Sequence, residues 1–136
     1  MPDQMTEAEL RAVAHAVYAA AGSGDWETAE RYLSDELVIV EADNLPYAGT
    51  YTGRGALREL YGIVMAYWAE PELEFHAMTA GDDHVVSMVT FHMTSRRSGK
   101  RLSMPLTEVF QIEDGKIVRI QPYYYDTKAM VDFERP

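Results

Sequence analysis

The segment RLSMPLTEVFQIEDGKI, residues 101–117, alternates apolar and polar side chains and ends in a turn signal, Asp114-Gly115. This alternation predicts a β-strand with one buried face, and the Asp-Gly pair predicts a hairpin turn after it. Side chains two positions apart share a face, and all even-numbered positions from 102 to 112 are apolar except Glu108. An ionised carboxylate is costly to bury without partners, so Glu108 is the first candidate for a functional residue.

Helical patterns precede this hairpin along the chain. Thr6 and Glu9 have the spacing of a capping box, which predicts a helix that ends at Gly22. Asp25 can cap a second, short helix. A third helix is expected to carry an apolar stripe from Leu57 to Trp68 and to end before Pro71, because proline disrupts a helix interior.

Strand patterns make up most of the remainder. A first strand is predicted at 36–42 (ELVIVEA), followed by a loop, and later strands at 72–80, 84–96, 101–113 and 116–126. Helices followed by an antiparallel meander predict an α+β fold, with a curved, mostly antiparallel sheet wrapped on three N-terminal helices and enclosing a pocket. We expect a single domain over residues 1–136, in which 127–136 form a C-terminal tail over one edge.

Composition excludes several classes of function. The chain has 136 residues, a net charge of −10 and a pI of about 4.7, which argues against nucleic-acid binding and against docking on an anionic membrane. No apolar run approaches the roughly 20 residues of a membrane helix, and the polar N-terminus does not resemble a signal peptide. The absence of cysteine excludes disulfides and thiol chemistry. These properties fit a cytoplasmic protein.

The alternation test places one ionisable side chain on the apolar face of each of four strands. Glu41 shares a face with Leu37 and Ile39. The other members of the set are His92, with Val86, Met88 and Thr90; Glu108; and Asp126, with Val118, Ile120, Pro122 and Tyr124. Four such groups predict a polar cluster in an apolar cavity.

Each of these residues also has a non-functional interpretation. Glu41 lies at a strand end and is almost equally compatible with solvent exposure. Glu108 is compatible with a buried pair to an arginine or a hydroxyl group, and His92 with a core or rim histidine. Asp126 is compatible with a cap that closes the last strand.

The opposite faces of two strands are also apolar. This predicts a homodimer through the outer face of the sheet, because large exposed apolar surfaces mark interfaces. The residues concerned are Val85, Val89, Phe91 and Met93 on one strand and Ile117, Tyr123 and Tyr125 on another.

The sequence lacks the G-x-S-x-G, P-loop and G-x-G-x-x-G motifs. A metal site built on His92 with two acids is conceivable, but no H-x-H or H-E-x-x-H spacing supports it. We therefore expect no metal and no cofactor, and acid–base chemistry as the function.

Three segments together resemble the nuclear transport factor 2-like superfamily, in the branch of SnoaL-like polyketide cyclases and ketosteroid isomerases. They are GDWETAERYLSDELVIVE (24–41), YTGRGALRELY (51–61) and EVFQIEDGKIVRIQPYYYD (108–126). The resemblance covers almost the whole chain. It implies a cone-shaped barrel that encloses a pocket, and many different functions share this fold.

The resemblance also implies roles for particular residues. Relative to ketosteroid isomerase, Glu41 falls at the general base and Glu108 at a protonated acid of the oxyanion hole, while Tyr61 resembles a supporting tyrosine. The main oxyanion tyrosine falls at Val17, and Tyr18 is one residue away, about 100° around the helix. Asp126 resembles an acid near the last strand end of SnoaL-like cyclases.

The resulting hypothesis is cofactor-free proton transfer on an apolar, oxygenated small molecule, such as a polyketide, terpenoid or steroid. The reaction would be cyclisation, isomerisation, dehydration or epoxide opening, with Glu108 as neutral acid, Glu41 or Asp126 as base and His92 as shuttle. The predicted pocket residues are Tyr18, Tyr61, Trp68, Met88, Met104, Phe110 and Tyr124, with Tyr47 and Tyr51 over the entrance. The alternatives are a non-catalytic binding module and a dimeric accessory protein with a collapsed pocket.

Overall fold

The computed structural model describes residues 4–136, so residues 1–3 of the expected domain lie outside it. The chain forms four helices and six strands in these residues. They are α1 (Glu7–Gly22), α2 (Trp26–Arg31), β1 (Leu33–Glu41), β2 (Gly49–Thr52), α3 (Ala56–Tyr67), β3 (Trp68–Gly81), β4 (His84–Ser95), β5 (Arg101–Glu113), β6 (Lys116–Tyr124) and α4 (Thr127–Asp132). None of the helices in the described range is long and apolar enough to cross a membrane.

The predicted helix caps are present. The Thr6 hydroxyl accepts a hydrogen bond from the Glu9 amide at 3.1 Å, and the Thr6 amide donates to Glu9 Oε1 at 2.9 Å, which completes the capping box. Asp25 accepts a hydrogen bond from the Thr28 amide at 3.2 Å and caps α2. Because the first amides of α1 have hydrogen-bond partners, the residue at which α1 begins is well defined. The start of the helix in turn sets which of its faces meets the sheet.

The strands form one curved, unclosed sheet in the order β2-β1-β6-β5-β4-β3. Only the contact between β1 and β6 is parallel; the other four pairs are antiparallel. Helices α1 and α3 pack against the inner face, where the core lies. The predicted α+β cone is therefore confirmed.

The inner face of β4 is the opposite of the one predicted. Val85, Val89 and Met93 are 0 %, 2 % and 0 % exposed, whereas Met88 is 52 % exposed. Both faces of this strand carry apolar residues, and the face with the larger and more numerous ones is buried because it removes more apolar area from water. Most of the apolar surface that suggested a dimer is thus core.

Three further predictions were wrong in detail. The register of β5 and β6 shifts between Gln111 and Ile112, and this irregularity brings Ile117 into the core together with Ile120. Gly49–Thr52, which the sequence predicts as a loop, is the edge strand β2. Helix α3 ends at Tyr67, so Trp68 begins β3 instead of ending the helix.

The C-terminal residues predicted as a tail begin with α4. Met130 is 0 % exposed, and the Phe133 ring lies on Trp68 with centroids 4.9 Å apart. The Ser98 hydroxyl donates to the Phe133 carbonyl at 2.5 Å. These contacts anchor the end of the chain to the end of the sheet at which β3 begins.

Candidate functional site

Glu108 lies on the inner face of β5 between Leu106 and Phe110, which are 7 % and 4 % exposed. The face of β5 was therefore predicted correctly. Its carboxyl Oε1 accepts a hydrogen bond of 2.6 Å from the Tyr18 hydroxyl on α1. Protein atoms surround the carboxyl group, while the residue as a whole keeps intermediate exposure.

Burial raises the pKa of Glu108, and the hydrogen bond from Tyr18 opposes that rise only in part. Burial also raises the pKa of Tyr18, and the negative charge of Glu108 raises it further. The phenol therefore stays protonated and remains a donor over the whole physiological range. Together the two side chains form an acid–phenol pair in which Tyr18 donates to Glu108, and Glu108, when protonated, can donate a hydrogen bond to a further oxygen atom.

Glu41 is the last residue of β1 and is 4 % exposed, so the alternative of a solvent-exposed acid is wrong. Among residues 4–136 no group forms a hydrogen bond with its Oε1. Burial, with the charge of Glu108 as the second cause, raises the pKa of Glu41 to about 8. The negative charge of Glu108 therefore acts on Glu41 inside the fold. No cation in the described chain pairs with either carboxyl group.

Several phenols surround the two acids. Burial and the charge of Glu108 raise the pKa of Tyr61 to about 12, and its ring meets Trp26 edge-on at 5.0 Å. The hydroxyl oxygens of Tyr47 and Tyr124 are 3.0 Å apart. Burial raises the pKa of both, so these groups also remain protonated.

Tyr47 and Tyr51 do not form the predicted entrance. Tyr47 is 1 % exposed and packs against Trp68, which is fully buried, with ring centroids 6.2 Å apart. The Tyr51 hydroxyl donates to the Tyr47 carbonyl at 2.8 Å and holds this loop in place. Tyr47 and Trp68 therefore belong to the inner wall.

The exposed side of the site lies near the edge strand β3. The Phe75 ring is 52 % exposed and meets the Tyr18 ring edge-on at 4.8 Å, and Phe110 meets the other side of Tyr18 at 5.5 Å. Met104, 3 % exposed, continues the same inner face of β5. Of the predicted lining residues, Tyr18, Tyr61, Met104, Phe110 and Tyr124 lie on this interior.

Two more buried polar atoms lack partners within the described residues, Ser87 Oγ and Trp68 Nε1. Each such group costs about 1–3 kcal/mol when left unsatisfied. Ser87 is the Cα partner of Glu108 across the β4–β5 pair, and the proximity of its hydroxyl lowers the pKa of the Tyr18 phenol, although the two groups do not meet the geometry of a hydrogen bond. Ser87 was not predicted as a site residue, because the odd-numbered face of β4 was predicted to face outward. The signal that could have identified it is a polar side chain in an apolar row, as for Glu108.

Three predicted site residues lie elsewhere. His92 and Met88 project from the outer face of β4, because the inner face is the odd-numbered one. Asp126 is exposed and accepts a hydrogen bond from the Ala129 amide at 3.0 Å as the N-cap of α4. The cap interpretation of Asp126 is therefore the right one, and of the two predicted bases only Glu41 lies in the interior.

Two open clefts lie away from the two acids. One, of about 790 Å³, is lined by the start of α1 and by the turns after β3 and β5, including Asp82, Asp83 and Asp114. Within the described part of the chain no three His, Asp or Glu side chains are arranged to hold a metal ion. The candidate site is thus the set of Glu41, Glu108, Tyr18 and their phenol neighbours.

The sequence matches the family model for the SnoaL-like domain over residues 14–120. No curated protein matches it significantly. Among solved structures, a nuclear transport factor 2-like protein of Burkholderia thailandensis has a TM-score of 0.85 at 22 % identity, covering 97 % of this chain and 100 % of that one.

Two further structures are similar. TerC, co-crystallised with polyporic acid, has a TM-score of 0.81 at 21 % identity and covers 93 % of this chain and 98 % of its own. A protein assigned as a SnoaL-like polyketide cyclase from Jannaschia sp. CCS1 has a TM-score of 0.82 at 12 % identity, covering 100 % and 99 %. These likenesses establish the fold, and the family match extends over most of the sequence. The chain belongs to the SnoaL-like domain family.

Proposed function

We propose that this protein catalyses proton transfer at a carbon atom next to a carbonyl group in an apolar, oxygenated small molecule. The observation that carries the proposal is that one buried acid, Glu108, is held in a hydrogen-bonded pair with a phenol, whereas a second buried acid, Glu41, has an oxygen without a partner. Tyr18 and Glu108 are 2.6 Å apart, and Glu41 has an unpartnered Oε1 and a pKa of about 8. Two carboxyl groups in different environments can divide the roles of acid and base.

In this mechanism the carbonyl oxygen of the substrate accepts a hydrogen bond from protonated Glu108, whose Oε1 in turn accepts the hydrogen bond of Tyr18. Ionised Glu41 removes a proton from the adjacent carbon, and the charge that develops on the oxygen is stabilised by Glu108, which Tyr18 supports. Glu41 then returns the proton to another carbon of the conjugated intermediate. A base with a pKa near the working pH is well matched to such a step.

The lining supports an apolar substrate with oxygen functions. Phe110, Met104 and Phe75 supply apolar contacts, and the phenols of Tyr61 and Tyr124 supply hydrogen bonds. The relatives point to the same ligand class, since one was co-crystallised with polyporic acid and another is assigned as a polyketide cyclase.

The test uses a small β,γ-unsaturated ketone, cyclohex-3-enone, whose isomerisation to the conjugated enone is followed by absorbance. We expect the wild-type protein to accelerate the reaction. Glu41→Gln is expected to lower kcat by about 10²–10⁴-fold, the usual contribution of a general base. Glu108→Gln is expected to lower it by up to about 10²–10³-fold, because a weaker amide N–H donor replaces the carboxylic O–H at the oxyanion.

The matched control is Glu113→Gln, since Glu113 is an exposed carboxylate on the same strand as Glu108. This variant should match the wild type. If Glu41→Gln and Glu108→Gln both keep full activity, the assignment of acid and base is wrong.

A dimeric accessory protein whose interior is filled by its own side chains is the second candidate, and the close packing of the inner wall favours it. Tyr47 and Trp68 are almost completely buried against each other, and the open clefts described above are lined by other residues. In that case cyclohex-3-enone and its saturated analogue cyclohexanone would neither be turned over nor change Trp26 or Trp68 fluorescence.

A further inference from the structure

A second cluster of polar side chains lies on the outer face of the sheet, away from the site above. His92 Nε2 is 2.8 Å from Glu74 Oε1, and His92 Nδ1 is 2.7 Å from the Ser103 hydroxyl. A nucleophile, a base within hydrogen-bond reach and a third group that orients the base are the signature of an activated nucleophile. The proposed proton-transfer site uses none of these residues.

The hydrogen bonds determine which nitrogen of His92 is the base. The hydrogen bond from His92 lowers the pKa of Glu74, so this carboxylate is ionised and can only accept. Neutral His92 therefore carries its proton on Nε2 and presents the lone pair of Nδ1 to Ser103. The Ser103 hydroxyl donates its proton along the 2.7 Å contact and is polarised as a nucleophile.

The three side chains stand on three adjacent strands. Ser103 on β5 and His92 on β4 are Cα partners in the β4–β5 pair, and His92 is also the partner of Glu72 on β3, two residues before Glu74. Groups on paired strands are held more precisely than groups on loops. Ser103 is exposed, and the His92 side chain is 23 % exposed, so an electrophile can reach the hydroxyl oxygen.

We propose that Ser103, with His92 as base and Glu74 as orienting group, is a nucleophilic serine that accepts acyl groups from activated esters. Ser103 Oγ forms a bond to the ester carbonyl carbon while its proton passes to His92 Nδ1. The bond from that carbon to the leaving aryl oxygen then breaks, and the proton leaves with the phenol. The products are an acyl ester of Ser103 and one phenol. Water attacks the acyl group in the same way and regenerates the serine.

A neighbouring pair on the same face provides an internal comparison. His76 Nε2 is 2.7 Å from the Thr90 hydroxyl, but His76 Nδ1 is 3.9 Å from Glu74 Oε2, too far for a hydrogen bond. His76 therefore lacks the orienting contact that His92 has, and Thr90 is a bulkier secondary alcohol. We expect Thr90 to stay unmodified under conditions in which Ser103 is acylated.

The experiment exposes the full-length protein to 4-nitrophenyl acetate and maps acetylated residues by peptide mass spectrometry over time. Ser103 is expected to be acetylated at least about 10²-fold faster than Ser23, because about 10²-fold is the lower end of the range for general-base assistance. Ser23 is an exposed serine with no histidine contact in the described structure. His92→Gln should abolish this advantage, and Glu74→Gln should reduce it. Circular dichroism checks the fold of each variant.

The charged groups that face His92 on this surface are Glu72, Glu74 and His76 of β3 and Arg101 of β5. Glu108→Gln should leave the acetylation rate within about twofold, because Glu108 lies on the opposite face of the sheet. Acetylation of Ser103 no faster than of Ser23, or unaffected by both His92→Gln and Glu74→Gln, would overturn the proposal.

Discussion

Glu108 and Glu41 have raised pKa values because each faces inward from a strand and is buried. Both could be found in the sequence, because a carboxylate in an alternating apolar row is rare and the hydrogen-bonding capacity of a buried acid must be met somewhere. Tyr18 could be predicted as a pocket residue, but its contact with Glu108 could not be predicted from the sequence. Its side chain reaches Glu108 from the flank of the apolar stripe of α1, whereas Val17 at the centre of the stripe is 4 % exposed core.

Removal of the Tyr18 hydroxyl tests the acid–phenol pair. Tyr18→Phe should lower the free energy of unfolding by about 1–3 kcal/mol, because Glu108 then lacks its donor. The same change should raise the pKa of Glu108 further, since the Tyr18 hydrogen bond lowers it. Urea unfolding at pH 6 measures the first effect. Tyr123→Phe, at an outward-facing tyrosine, is the control, and equal stability of the two variants would contradict the prediction.

The buried acid Glu41 should make stability depend on pH. Below about pH 4.5 its carboxyl group is protonated in both states and has no effect. As the pH rises towards 8, the unfolded chain ionises while the folded protein does not, so the free energy of unfolding falls. The shift from 4.5 to about 8 sets an upper limit of about 5 kcal/mol for this loss.

Glu41→Gln should remove most of this dependence. Relative to the wild type it should gain stability as the pH rises from about 5 to 8, with the difference constant above that range. Urea unfolding at several pH values measures the two curves. Parallel curves for wild type and variant would show that Glu41 is not a raised-pKa acid.

At the scale of elements, the sequence predicts which strands exist better than it predicts which of their faces are buried. In β5 only one face is apolar, so alternation gives the right answer, whereas β4 has apolar residues on both faces. The face with His92 was preferred because it held an ionisable group, and the structure buries Val85, Val89 and Met93 instead. The bulge in β6 breaks the two-residue period, which a single sequence does not reveal.

Helix α4 gives a prediction at this scale. Asp126→Ala removes the N-cap and should lower the free energy of unfolding by about 1 kcal/mol, as is typical of such caps. Turnover of cyclohex-3-enone should stay unchanged once the protein is folded. Thermal unfolding and the activity assay measure the two effects, with Asp43→Ala, at an exposed acid, as the control. A loss of turnover without a loss of stability would contradict the cap interpretation and would show that Asp126 takes part in the reaction.

At the scale of the whole molecule, the family fold follows from the order of the elements, whereas the outer surface does not. The dimer remains a prediction, now resting on fewer residues. Met88, Tyr123 and Tyr125 are 52 %, 55 % and 84 % exposed, and Met88 and Tyr123 both pair with Thr107 across adjacent strands. We propose that this patch contacts a second copy of the chain.

Light scattering after size exclusion tests the dimer. The wild-type protein should have the mass of two chains, and Met88→Lys with Tyr123→Lys should have the mass of one, because two buried ammonium groups would be unpaired in the interface. A wild-type protein with the mass of a single chain would rule out the dimer through this patch.

The most direct test of the central claim needs no substrate. Carboxyl carbons of glutamate, labelled with ¹³C, are followed by NMR from acid to alkaline pH in the wild type, Glu41→Gln and Glu108→Gln. We predict that two glutamates titrate well above their ordinary range, that the one near pH 8 disappears in Glu41→Gln, and that the other disappears in Glu108→Gln. A wild-type protein in which every glutamate titrates in its ordinary range would contradict the acid–base site.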